Sequence, residues 1–93
     1  MRSPNPKAEK TRARVVFVNP VTNYYGVQTG KNDFAVLRVL DSTQLTIGDW
    51  IVGDLNKEGP ANLSFDEPPV FSFPTMINAI GVNNEAIVKS MLG

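Results

Sequence analysis

The sequence predicts a mainly-β fold, a small barrel or sandwich of about five short strands followed by a short helical tail. Short runs rich in Val, Phe, Tyr and Ile recur along the first two thirds of the chain, each bounded by Gly, Pro, Asn or Asp. No helical pattern of the length a βαβ crossover needs lies between them. A helical apolar stripe, with pairs spaced four apart at Ile87/Met91 and Val88/Leu92, is read near the end.

Met1 to Thr11 is polar and contains Pro4 and Pro6, so it reads as a flexible basic arm. Arg14 to Val18 is β-branched and aromatic and reads as the first strand, ended by Asn19-Pro20. Tyr24 to Gln28 is the second. Thr29-Gly30-Lys31-Asn32 is a hairpin signal, because Gly and Asn tolerate positive φ. Phe34 to Leu40 is the third strand and Asp41 to Gln44 a polar loop. Gly48-Asp49 turns the chain into Trp50-Ile51-Val52, where core or barrel-end packing is the expectation for Trp50. Asn56 to Pro60 is a further turn, and Ala61 to Phe65 a fifth strand.

Beyond Phe65 the texture changes. Asp66 to Pro69 reads as a linker, kept extended by Pro68, Pro69 and Pro74. Val70-Phe71-Ser72-Phe73 alternates and can add an edge strand. Thr75 is placed to cap a helical turn through Ile80, with Gly81 ending it. Asn83 or Asn84 can cap a last helix, with Glu85 in its first turn and Lys89 in its last. Ile87 with Met91 and Val88 with Leu92 form an apolar stripe. So short a helix does not persist alone, so it is expected to plug a barrel end or meet another chain.

Composition narrows the chemistry. The 93 residues fit one domain. There is no Cys and no His, which removes disulfides, thiolate chemistry and the usual metal ligand and general base. No catalytic residues, metal site or cofactor are expected, because no nucleophile–base set and no Gly-rich phosphate loop can be found. No apolar run approaches the ~20 residues of a membrane span, and the N-terminus lacks the apolar segment of a secretory signal. A cytoplasmic location is the expectation by elimination. The net charge of zero conceals an asymmetry. Residues 1–14 hold five basic side chains against one acid, a net +4, and residues 15–93 hold four against eight, a net −4. A polyanion would meet the arm first.

Three segments in order carry a resemblance: Val15 to Pro20, then Asn23-Tyr24-Tyr25-Gly26-Val27, then Gly30 to Val36. With Leu45 to Val52 and Gly59-Pro60-Ala61-Asn62-Leu63, they resemble a cold-shock domain across about residues 12–65. The resemblance implies a five-stranded OB-like barrel there, with residues 66–93 as Pro-rich linker and helical tail. It also implies binding of single-stranded RNA or DNA by stacking bases on exposed rings while cations track the phosphates. The rings it points to are Phe17, Tyr24 or Tyr25, and Phe34, with Arg14, Lys31 and Arg38 as the cations beside them. In this sequence the family's binding Trp falls on Phe17, its next aromatic falls on Val18, and its His has no counterpart, so the aromatic platform is thinned. Strand alternation requires one of Tyr24 and Tyr25 to point inward. The acidic body, the thinned platform and the apolar tail motivate an alternative, a protein-interaction or self-assembly module using residues 70–92.

Overall fold

The computed structural model describes residues 10–68 and 70–93. The greater part of the expected arm, residues 1–9, therefore lies outside the described residues, as does Pro69. The described residues are mainly β, with six strands and one helix among them: β1 Thr11–Asn19, β2 Tyr24–Gly30, β3 Asp33–Val39, β4 Trp50–Gly53, β5 Gly59–Phe65, β6 Ser72–Val82 and α1 Glu85–Met91. The strands close into a barrel in the order β1-β2-β3-β6-β5-β4, with β4 pairing back onto β1. Two three-stranded meanders are thus joined edge to edge.

Five strands were expected and the barrel has six. The sixth begins at Ser72-Phe73, in the stretch expected to be able to add an edge strand, and continues through the segment expected to form a helical turn, so the barrel runs on to Val82 instead of ending near Phe65. In β6, Phe73, Thr75 and Ile77 are buried while Ser72, Met76 and Asn78 are exposed, a period of two that a helical turn over Thr75–Ile80 would scramble. Pro74 is accommodated opposite Asn62, and its carbonyl accepts from the Leu40 amide at 3.0 Å. Every neighbouring pair is antiparallel. A ring of strictly antiparallel neighbours needs an even number of strands, so six close where five would force one parallel pair.

The barrel is filled by Val15, Tyr25, Val27, Leu37, Ile51, Leu63, Phe73 and Ile77 among others. A bulge in β1 between Val15 and Phe17 sets what faces outward. Before it Ala13 and Val15 point inward; after it Val18 packs on the interior, and Val16 and Phe17 belong to a second cluster. That cluster, on the outer face of β1, β2, β3 and β6, also contains Tyr24, Phe34, Val36, Ala79 and Val82, and α1 covers it with Val88 and Leu92.

Helix α1 begins at Asn84, whose Oδ1 accepts from the Ala86 amide at 2.8 Å. Of the two apolar diagonals, Val88 and Leu92 dock while Ile87 and Met91 face solvent. The helix lies on the side of the barrel and not in its end. Gly26 permits this close approach, since a Cβ there would sit 2.6 Å from Val88 Cγ1. The Leu92 carbonyl accepts from Asn19 Nδ2 at 2.9 Å and Thr22 Oγ1 at 2.8 Å, tying the helix end to the β1–β2 turn. In that turn Asn23 takes a φ of 64° and bonds Val39 O through Nδ2 at 2.8 Å. The β2–β3 hairpin turns at Lys31–Asn32 as expected. However, neither Gly30 nor Asn32 adopts positive φ, and the register shifts between Gln28 and Gly30. No helix among the described residues is long and apolar enough to cross a membrane.

Candidate nucleic-acid interface

The seven candidate residues separate into three places: Tyr25 in the barrel interior, Phe17, Tyr24, Phe34 and Arg38 on the side that α1 covers, and Arg14 and Lys31 in a groove. Tyr25 is 2 % exposed, inside the barrel. Its hydroxyl donates to Asn23 Oδ1 at 3.1 Å and accepts from the Leu45 amide at 3.3 Å. Phe34 is 5 % exposed beneath α1. Neither ring presents a face on which a base can stack, which corrects the expectation for both. The cause is the alternation of β2 for Tyr25 and the docked helix for Phe34. Phe17 and Tyr24 are half-buried in the same cluster. Each ring is flanked by a cation, Lys89 Nζ at 5.1 Å from the Phe17 centroid and Arg38 Cζ at 5.9 Å from that of Tyr24. Arg38 is on the helix-covered side of the molecule, away from Arg14 and Lys31.

Arg14 and Lys31 are brought together elsewhere. Ala13 and Val15 point inward, so Arg12 and Arg14 project outward from the first half of β1. Arg14 stands opposite both Gln28 of β2 and Trp50 of β4. The β2–β3 turn adds Lys31, whose carbonyl accepts from Gln28 Nε2 at 3.0 Å. Arg12, Arg14, Gln28, Lys31 and Trp50 line one open groove of about 260 Å³.

Arg12 is engaged twice. Its guanidinium carbon lies 4.2 Å from the Trp50 ring centroid, and its Nε donates to Asp66 Oδ2. That is the one ion pair among the described residues, so Arg14 and Lys31 meet a ligand without first leaving a carboxylate. Trp50 is half-buried on the wall between this groove and a second cleft of about 290 Å³ lined by Asp49, Phe65, Glu67, Pro68 and Phe71. It is therefore not a core residue.

Trp50, Gln28 and the Phe65–Phe71 pair are the surface features that sequence reasoning missed. The outward direction of Arg12 and Arg14 follows from the alternation in β1. The pairing of Arg14 with Trp50 does not, because it depends on the β1–β4 register. Among the described residues no three Asp or Glu side chains come together to hold a metal ion. Compared with known protein families, curated proteins and solved structures, the chain matches none.

Proposed function

We propose that this protein binds single-stranded RNA or DNA, without catalysing a reaction, along the groove between β1, the β2–β3 turn and β4. One observation carries the reading. Arg12, Arg14 and Lys31 converge on a single groove although residues 15–93 carry a net −4. Arg14 and Lys31 contact phosphates, Gln28 offers a hydrogen-bonding amide, and Trp50 supplies an aromatic edge at the groove wall. Lys10, Lys7 and Arg2 continue the basic sequence beyond the start of β1 and add to the attraction for a polyanion. The cold-shock resemblance points to the same class of ligand. Of the rings it implies, Tyr25 lies inside the barrel, Phe34 is buried beneath α1, and Phe17 and Tyr24 are half-buried beside it, so the interface proposed here lies on a neighbouring face.

Fluorescence anisotropy of a labelled short single strand, titrated with protein at low and moderate salt, tests this. Binding is expected to be saturable and to fall with salt by about 0.7 logarithmic units per logarithmic unit of salt for each phosphate neutralised. Replacing Arg14 and Lys31 by alanine should weaken binding and reduce that slope. Absence of binding at low salt would refute the function. Unchanged affinity in the double variant would refute the groove.

A further inference from the structure

The second cleft, on the other side of Trp50, differs in charge from the first. Its walls are Trp50, Phe65, Pro68 and Phe71, and the charged side chains lining it, Asp49 and Glu67, are both acidic. Phe65 and Phe71 meet edge to face, with centroids 6.4 Å apart. The backbone fixes this wall: the Phe65 amide donates to the Phe71 carbonyl and the Asp66 amide to the Trp50 carbonyl, each at 3.0 Å. Phe71 is nonetheless 59 % exposed, and the adjacent Val70 is also open to solvent. Phe71 thus sits on backbone tied to the barrel and, with Val70 beside it in sequence, leaves exposed apolar surface at the cleft on which a partner can pack.

We propose that this cleft is a docking site for an extended, proline-containing peptide that carries a basic side chain, a binding activity beyond the proposed contact with nucleic acid. The charge of the rim selects the partner. Two carboxylates repel a phosphate backbone and attract Lys or Arg. The barrel sets the binding mode. Among the described residues each strand has a partner strand on both sides, so the closed barrel presents no edge strand to which a peptide would add. A cleft of about 290 Å³ takes a few side chains. Ring-on-ring packing of a polyproline-type segment needs neither a strand edge nor a wide groove, and an aromatic wall is the surface such segments use.

Trp50 is the only tryptophan and lines the cleft, so its emission reports occupancy. The full chain is titrated with a short synthetic peptide in which prolines alternate with leucine and lysine, and with a version carrying glutamate for lysine. The lysine peptide should give a saturable change and bind roughly tenfold tighter than the glutamate version. Phe71→Ala should lose about tenfold in affinity for it, and Arg14→Ala should leave it unaltered. Glu67→Lys should bind the glutamate peptide better than the unmodified protein does, a gain that damage to the fold cannot imitate. The proposal is overturned if the two peptides bind equally, if neither binds, or if Phe71→Ala has no effect. It is also overturned if Phe71→Ala weakens an oligonucleotide instead, which would assign the cleft to base stacking. Failure of the nucleic-acid reading appears separately, as loss of oligonucleotide binding with the peptide response intact.

Discussion

Replacing Gly26 by alanine puts a methyl group where α1 rests on β2. The added Cβ would lie 2.6 Å from Val88 Cγ1 and 3.1 Å from Phe17 Cδ2, well inside van der Waals contact. Val88 is β-branched, fully buried and at the centre of the docked helix face, so it cannot swing aside as the tip of a long side chain can. Overpacking of this kind costs about 1–3 kcal/mol. Val88→Ala removes two buried methyl groups and leaves a void, costing about 2 kcal/mol by itself. The same truncation clears the space that the new methyl at position 26 needs. The double variant should therefore be less destabilised than the sum of the two single variants, by about 1 kcal/mol or more. Urea unfolding of the four proteins measures this, and in a thermal scan each kcal/mol corresponds to about 4–8 °C. Strict additivity would refute the placement of α1 on the outer face of β1–β3, and with it the explanation of why Phe34 is covered.

Three further predictions follow from the same geometry. Tyr25→Phe removes the hydroxyl that accepts from the buried Leu45 amide and donates to Asn23; it should cost about 1–3 kcal/mol in urea unfolding with the barrel intact by circular dichroism. Asn84→Ala removes the N-cap acceptor of α1 and should cost about 1 kcal/mol, with faster hydrogen exchange confined to the helix. Arg14→Ala with Lys31→Ala should lower the magnitude of the oligonucleotide salt slope by about 1.4, two phosphates at 0.7 each, while Arg38→Ala, on the helix-covered side, should leave it unaltered.

Most of the barrel was legible because its strands announce themselves locally. Val15 to Val18, Tyr24 to Gln28 and Phe34 to Leu40 combine β-branched and aromatic residues between turn residues, and they form β1, β2 and β3. The terminal helix was legible from Asn84, Glu85 and Lys89 through capping and dipole chemistry. Strand β6 was hidden by conflicting local signals. Pro74, Thr75 and Gly81 read as linker, cap and stop, whereas the inward alternation of Phe73, Thr75 and Ile77 decides the outcome once β3 and β5 supply partners. Tertiary pairing outweighed propensity there.

The ring platform failed for a similar reason. That one of Tyr24 and Tyr25 must point inward is a property of any strand, but the β1 bulge and the docked helix, which decide the fates of Phe17 and Phe34, are non-local. The sequence offers Arg14 and Lys31 as cations beside the rings that the resemblance implies. Their meeting at Trp50 needed the β1–β2 and β1–β4 registers, which no local pattern encodes.

The most direct test of the proposed interface is a two-dimensional amide and indole NMR titration of the protein with a short single-stranded oligonucleotide. Shifts are expected at Arg14, Gln28, Lys31 and the Trp50 indole, with the α1 face around Val88 undisturbed. Shifts confined to Phe17, Tyr24 and Phe34, with release of α1, or no shifts at all, would contradict the proposed interface.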